Sequence, residues 1–370
     1  MTLLPEKSKS SSSNQIWLLT GDKLGDNAQL ELIGNHLEKE YSCIIEKKHI
    51  VYNQKHKRSN LLHGKSTKTI NHQKSDSIVL NKAPDLILFS GRRAVPVALW
   101  IKNQSKILFN KNVRLVAIGK PRAPFFWFDL IVSTRQYRLP SWIPNLIIND
   151  FTLNRAECLQ SENFEKSQYL DNKRNCIIFL GGERSGFIMR DKELTNIVNT
   201  IRLFKEKNPS YNILIFASKS TPRRAVDYIS TELLKIATFF TWDSPIKPSY
   251  KELLCFGDVF FTTEDSASVI TETVSTNKKV YLLPLFQKQF ANKIPLLIWL
   301  KRVKLLAFYP FGLYNPNREM RAFSSNLVNQ HIVQFYNQQD DLTQPKRSNQ
   351  LEKELTFTLN SIMGLLEKPK

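Results

Sequence analysis

The residues able to do chemistry cluster in one stretch, Val259 to Leu285, VFFTTEDSASVITETVSTNKKVYLLPL. Ser266 and Ser268 offer hydroxyls, and Glu272 offers a carboxylate one helical turn later. Val259 to Thr262 is an apolar run of strand formers, Asp265-Ser266 breaks it and supplies N-caps, and Val269, Ile270 and Val274 fall at helical spacing. The stretch therefore reads strand, loop, helix, strand. At the carboxyl end of a parallel strand, a helix N-terminus points its free N–H groups at whatever binds there. Hydroxyls and N–H groups take an anion, and a carboxylate accepts from sugar hydroxyls. That pattern suits a phosphate and a ribose. The competing reading is ordinary helix capping, with Glu272 one place outside a capping box from Ser268.

Other strand-to-helix turns carry similar groups. Ile16 to Leu19 reads as a strand, followed by a turn bracketed by Gly21 and Gly25, with Asp22, Lys23, Asp26 and Asn27 beside it. Asp26 or Asn27 can cap the helix bearing Leu30, Ile33 and Leu37. The spacing is neither a dinucleotide fingerprint nor a P-loop. DLILFS, residues 85–90, runs into Gly91-Arg92-Arg93, where two arginines at a strand end make an anion clamp. CIIFL, residues 176–180, runs into Gly181-Gly182, with Arg184 close by. Tyr211 to Phe216 ends in a loop holding Lys219, Ser220, Thr221, Arg223 and Arg224. The loops after 180, 216 and 262 would share one edge of one sheet.

These units need two α/β domains of doubly wound, parallel-sheet type. The 370 residues suffice for both. Residues 1–15 are Ser- and Lys-rich and are expected to be disordered. A first domain is expected over 16–150, with a polar, basic insertion at 53–82 that reads as a solvated loop rather than a nucleic-acid contact. Pro140 to Pro144 reads as the start of the exit from this domain. After a polar bridge, a second domain is expected over 174–330 and a helical tail over 331–370. Its helix, Gln350 to Leu366, is expected to pack back on the first domain.

The chain carries 53 Lys and Arg against 33 Asp and Glu, and 23 against 11 of these lie in residues 1–150. Such a surface favours phosphates, in nucleotides, nucleic acid or anionic headgroups. No RNA- or DNA-binding motif supports a nucleic-acid partner. The four cysteines and six histidines show no metal-ligand spacing, so neither a metal nor a tightly bound cofactor is expected. The N-terminal residues lack a signal-peptide core, and no window reads as a spanning helix. A cytoplasmic protein, or one peripheral to the inner membrane, is expected. Residues 294–311 interleave apolar residues with Lys301, Arg302 and Lys304; they read as a core helix with a cationic face, or as an interfacial membrane contact.

WLLTGDKLGDNAQ, FSGRRAVPVALWI, GKPRAPFFWFDLIV, LGGERSGF and TTEDSASVITETVSTNKKVYLLPL occur in this order, across roughly residues 16 to 312. Together they resemble the family named for a plant mitochondrial fission factor, whose bacterial members resemble GT-B glycosyltransferases. The resemblance implies two Rossmann-like domains facing a cleft, with a nucleotide-sugar held on the C-terminal domain and the acceptor on the N-terminal one. It implies a ribose contact for Glu272 and a diphosphate lined by Ser266, Ser268, Gly181, Gly182 and the loop from Lys219 to Arg223. Asp22 or Asp26 is then the candidate base, against turn and cap chemistry for the same two residues. A lipid-linked or cell-envelope sugar is the implied acceptor, and an anionic membrane surface a candidate partner. The other expectation is a non-catalytic, membrane-peripheral adaptor of the fission type. The sequence departs from the family pattern at Ala217 to Pro222, where two arginines are absent, at Gly119 to Arg122, and at Ser275 to Lys279.

Overall fold

The computed structural model describes residues 13–156, 168–170, 174–184, 186–288, 318–337, 339, 342 and 349–367. Residues 294–311 and the N-terminal segment before residue 13 lie outside the described residues.

The first half runs β1 (Gln15–Thr20), α1 (Leu24–Tyr41), β2 (Ile44–His49), the single turn α2 (Asn60–His63), β3 (Leu86–Ser90), α3 (Val95–Phe109), β4 (Arg114–Ile118), β5 (Leu130–Thr134) and β6 (Leu146–Asn149). Its six strands are all parallel, in the order 2-1-3-4-5-6. Strands buried on both faces are unbroken apolar runs, as in LILFS of β3 and LIVST of β5. The edge strand β2, IIEKKH, stays partly exposed and carries charge. A sixth strand, β6, follows the segment that the sequence reads as the exit from this domain.

The second half runs β7 (Asn175–Leu180), β8 (Phe187–Ile188), α4 (Asp191–Lys207), β9 (Asn212–Ala217), α5 (Arg223–Glu232), β10 (Thr238–Thr241), α6 (Tyr250–Phe256), β11 (Val259–Thr263), α7 (Ala267–Ser275), β12 (Lys279–Leu283), β13 (Phe286–Gln287) and β14 (Gln334–Phe335). The main sheet is parallel in the order 10-9-7-11-12-14. Numbered by its own six strands this is 3-2-1-4-5-6, the dinucleotide-binding order. β8 and β13 form a separate antiparallel pair. On α4 the buried positions Leu194, Ile197, Val198, Ile201 and Phe204 make a helical stripe. Each such side chain contributes about 1.5–3 kcal/mol by leaving water.

Both halves are thus Rossmann-like, and together they make a GT-B-like α/β architecture. Two apolar clusters cover the two faces of the first sheet, and a third fills the second half. The segment at 53–82 contributes Ile70, Ile78 and Leu80 to the first sheet's core. The C-terminal helix Gln350–Glu367 lays Leu355, Leu359 and Ile362 beside α1 residues on the first sheet, while its Leu351 reaches the second core. Glu354 of that helix accepts from the backbone N–H of Asp150 (3.0 Å) and Phe151 (3.1 Å), fixing the chain as it leaves β6.

Candidate functional site

In an open α/β sheet the crevice lies where the strand order reverses direction. In the first sheet that is between β1 and β3, whose following loops carry Gly21 to Asn27 and Gly91 to Arg93. They enclose a cavity of about 260 Å³ lined by Gly21, Lys23, Asp26, Asn27, Arg92 and Arg93, with Tyr52 and His56 on its far side. Asn27 does not cap α1; the N-cap is Lys23, without a side-chain bond. Asn27 instead reaches back to Gly21, accepting from its N–H (2.9 Å) and donating to its carbonyl (2.7 Å). Gly91 sits at φ +66°, which a Cβ would strain. Arg93 makes a two-pronged pair with Asp22, one contact at 3.2 Å, and lies over the Tyr52 ring at 4.9 Å. The hydrogen bond from Arg93 holds the Asp22 carboxyl below its usual range.

In the second sheet the order reverses between β7 and β11. Asp265, which the sequence offers as a cap, is buried and spans that gap instead. It accepts from the Gly182 N–H (3.0 Å) and the Thr263 hydroxyl (2.6 Å). Burial pushes its carboxyl up, and these bonds oppose the shift. A Cβ on Gly181 would overlap the Asp265 carboxylate, and one on Gly182 would overlap the Ser220 backbone. The small size of both glycines is therefore required by the packing of three loops on one another. Thr221 reinforces this, donating to the Leu180 (2.9 Å) and Gly181 (2.5 Å) carbonyls. Ser266 caps α7 by accepting from the Val269 N–H (3.5 Å), which leaves its own O–H directed by whatever binds.

The two crevices meet at their helix N-termini. A Cβ on Gly25, in the first turn of α1, would stand 3.4 Å from the Ser268 Oγ of α7. Asn154, on the chain between the sheets, donates to the Gly25 carbonyl (3.3 Å). Thr152 follows the same helix, bonding Thr271 Oγ1 through its N–H (3.3 Å) and its hydroxyl (3.0 Å), and the Ala156 N–H bonds Ser275 (2.8 Å). Glu272 lies within this junction. The Tyr250 hydroxyl of α6 donates to its carboxylate. Burial raises its carboxyl to about 7, with hydrogen bonds from Tyr250 and Asn154 pulling the other way. Glu272 makes no capping box with Ser268; that alternative is excluded because Ser266 is the cap and Tyr250 and Asn154 are the carboxylate's partners.

The family model described as mitochondrial fission ELM1 matches residues 25–303. The chain belongs to that family. A Rickettsia prowazekii (strain Madrid E) protein described as uncharacterized protein RP120 is 20% identical over 301 residues, 72% of this chain and 82% of that one. The mitochondrial fission protein ELM1 of Arabidopsis thaliana is 24% identical over 229 residues, 54% of this chain. The chain spans about half, 51%, of the plant protein's length. Among solved structures, the UDP-GlcNAc 2-epimerase of Methanocaldococcus jannaschii aligns with TM-score 0.47 at 11% identity, covering 94% of this chain and 99% of that one. A Staphylococcus aureus MnaA–UDP structure aligns with TM-score 0.44 at 12% identity, covering 96% and 99%. The architecture rests on the strand orders above and not on these alignments.

The structure gathers Gly21, Lys23, Asp26, Asn27, Arg92 and Arg93 on one cavity, and Gly181, Gly182, Ser220 and Asp265 at the opposite crevice. It does not gather all the cations named from sequence. Arg223 is exposed and pairs along its own helix with Asp227 (3.0 Å). Arg224 turns to Glu183 (3.2 Å) and Asp191 (3.3 Å). Lys219 lies over the Trp242 ring at 5.0 Å, and Arg184 is exposed. Local carboxylates and aromatic faces claim these side chains, which the bare count of charges in the loop does not reveal. Tyr250, Asn154 and Asp265 are the partners that sequence reasoning did not assign. Only Asp265 had a signal, its place in the DSAS turn.

Proposed function

We propose that this chain is a glycosyltransferase that transfers a sugar from a nucleotide-sugar to a cell-envelope or lipid-linked acceptor. The observation that carries the reading is Glu272, a half-buried carboxylate at the junction of two opposed crevices, beside the hydroxyl-bearing start of α7. The ribose hydroxyls would donate to Glu272, which keeps acceptor positions beyond those used by Tyr250 and Asn154. The leaving diphosphate would meet the free N–H groups of α7 and the Ser266 and Ser268 hydroxyls, so that the charge developing on it is offset in place. Arg223, paired with Asp227, contributes at most at a distance. Asp22 is a poor base because Arg93 lowers its affinity for a proton, and the role passes to Asp26, which lines the cavity. The acceptor would approach from the first sheet, whose half of the chain is the more basic, as suits an anionic membrane surface. No helix among the described residues is long and apolar enough to cross a membrane.

The test is transfer of radiolabelled sugar from a panel of nucleotide-sugars to membrane extracts, with Asp26→Asn as control. Turnover in the wild type and its loss in the variant support the proposal. Two observations favour the second reading, a non-catalytic adaptor. Asp22 and Arg93 neutralise one another, and Gly181 and Gly182 are occupied by chain packing. The adaptor would bind no donor and turn nothing over.

A further inference from the structure

The cavity in the first sheet carries more positive charge than the acceptor of a plain sugar needs. Asp26 lines it and pairs with Lys23 at 3.8 Å, and Asp22, beside it in the same loop, pairs with Arg93. Arg92 also lines the cavity, and its guanidinium donates to the Lys57 carbonyl at 3.5 Å. Beside it, the turn after β4 brings Lys120 and Arg122, the latter exposed and held at φ +51°. The buried Asn60 of α2 locks these loops together. Its side-chain amide donates to the carbonyls of Arg92 (2.9 Å), Pro121 (3.0 Å) and Arg122 (3.4 Å). Among the described residues no carboxylate is paired with Arg92 or Arg122. The segment at 53–82 thus supplies the clip that forces like charges together.

We propose that a phosphomonoester group binds at the edge of this cavity, gripped by Arg92, which lines it, and by Arg122 of the adjoining turn. Guanidinium forks match phosphate oxygens in pairs, and a dianion offsets the charge excess that two paired carboxylates leave standing. Burial and mutual repulsion both disfavour the charged forms here. Burial, then the neighbouring Arg122 and Arg93, hold Arg92 below its ordinary value. Burial, then Arg122, bring Lys120 down to about 8. A bound dianion offsets the repulsive part of both. In the glycosyltransferase reading the group belongs to the acceptor, and in that respect alone the inference rests on that reading.

Titration calorimetry with inorganic phosphate and with glucose 6-phosphate, and glucose as the neutral control, tests the site. Both anions are expected to bind and glucose is not. The double variant Arg92→Gln/Arg122→Gln is expected to weaken binding at least tenfold, and Arg92→Lys/Arg122→Lys to fall between. Thermal melts of each variant verify the fold. Sedimentation with phosphatidylcholine vesicles, with and without phosphatidate, separates the sources. A headgroup site binds phosphatidate vesicles more tightly than soluble phosphate, with the same variants weakening both. Glu272→Gln is expected to leave phosphate binding unchanged. Wild-type protein that binds phosphate but no nucleotide-sugar removes the donor reading only. Wild-type protein that binds neither phosphate form, or a Gln/Gln variant that binds as wild type does, overturns the inference.

Discussion

Replacing Glu272 by Gln is expected to make the protein more stable at alkaline pH and worse at binding nucleotide. The carboxyl is raised from 4.5 to about 7 by burial. A carboxyl whose folded value lies above its unfolded value favours the folded state at low pH, because the native state then holds the extra proton. That contribution is lost as pH rises from the unfolded value through the folded one. Integrated from pH 5 to pH 8, the shift removes about 2.5 kcal/mol of stability. Gln cannot titrate, so in the variant this component is flat while every other group contributes as before. The difference between the two proteins' urea unfolding free energies should therefore grow by about 2.5 kcal/mol from pH 5 to pH 8, in favour of the variant. Nucleotide affinity should move the other way. Charge-assisted hydrogen bonds from ribose hydroxyls are worth roughly 1.5–3 kcal/mol each. Losing one such bond weakens affinity about tenfold or more. In the wild type, affinity should also fall as pH drops below 7, because protonation competes with the ribose donors. A stability difference that is constant with pH, together with equal affinity, would refute the reasoning.

Other substitutions separate the roles argued above. Gly182→Ala forces a Cβ into the Ser220 backbone, and a thermal or urea melt should show a loss of about 3 kcal/mol. Asp26→Asn should lower transfer by roughly 10²–10⁴-fold with little change in stability. Asp22→Asn removes a mostly exposed partner of Arg93, so stability should shift by less than about 1 kcal/mol and transfer should persist, by the same melt and the same assay. Leu359→Ala leaves a cavity between the C-terminal helix and the first sheet. It should cost about 2–5 kcal/mol by urea unfolding.

Strand ends and glycine turns were legible because parallel strands are continuous apolar runs and each must end in a turn that starts a helix. That is why the loops at Gly21, Gly91, Gly181 and Asp265 could be placed on one edge of each sheet. What a glycine makes room for was not legible. Gly181 and Gly182 read as room for a ligand, yet the neighbours that need the space are Asp265 and Ser220, residues 38 or more positions away. The side-chain partners were hidden for the same reason. Glu272 meets Tyr250 only because α6 packs beside α7, and Asn154 reaches Gly25 only because the inter-sheet chain runs along α7. Arg223 and Arg224 were counted with the site because they follow a strand, but carboxylates one turn away or on α4 take them. The role of Asn60 lay in a segment whose composition reads as a solvated loop, and no local pattern marks one amide as a clip between two distant turns.

In the proposed function the cleft takes a nucleotide through the helix that begins at Ser266. Its most direct test is calorimetric titration of the wild-type chain with nucleoside diphosphates and their sugars, repeated on Glu272→Gln. At least one of them is expected to bind at a single saturable site, to require both ribose hydroxyls, and to weaken about tenfold or more in the variant. A folded wild-type protein that binds none of them, or one that binds a nucleotide with the same affinity when Glu272 is replaced, would contradict it.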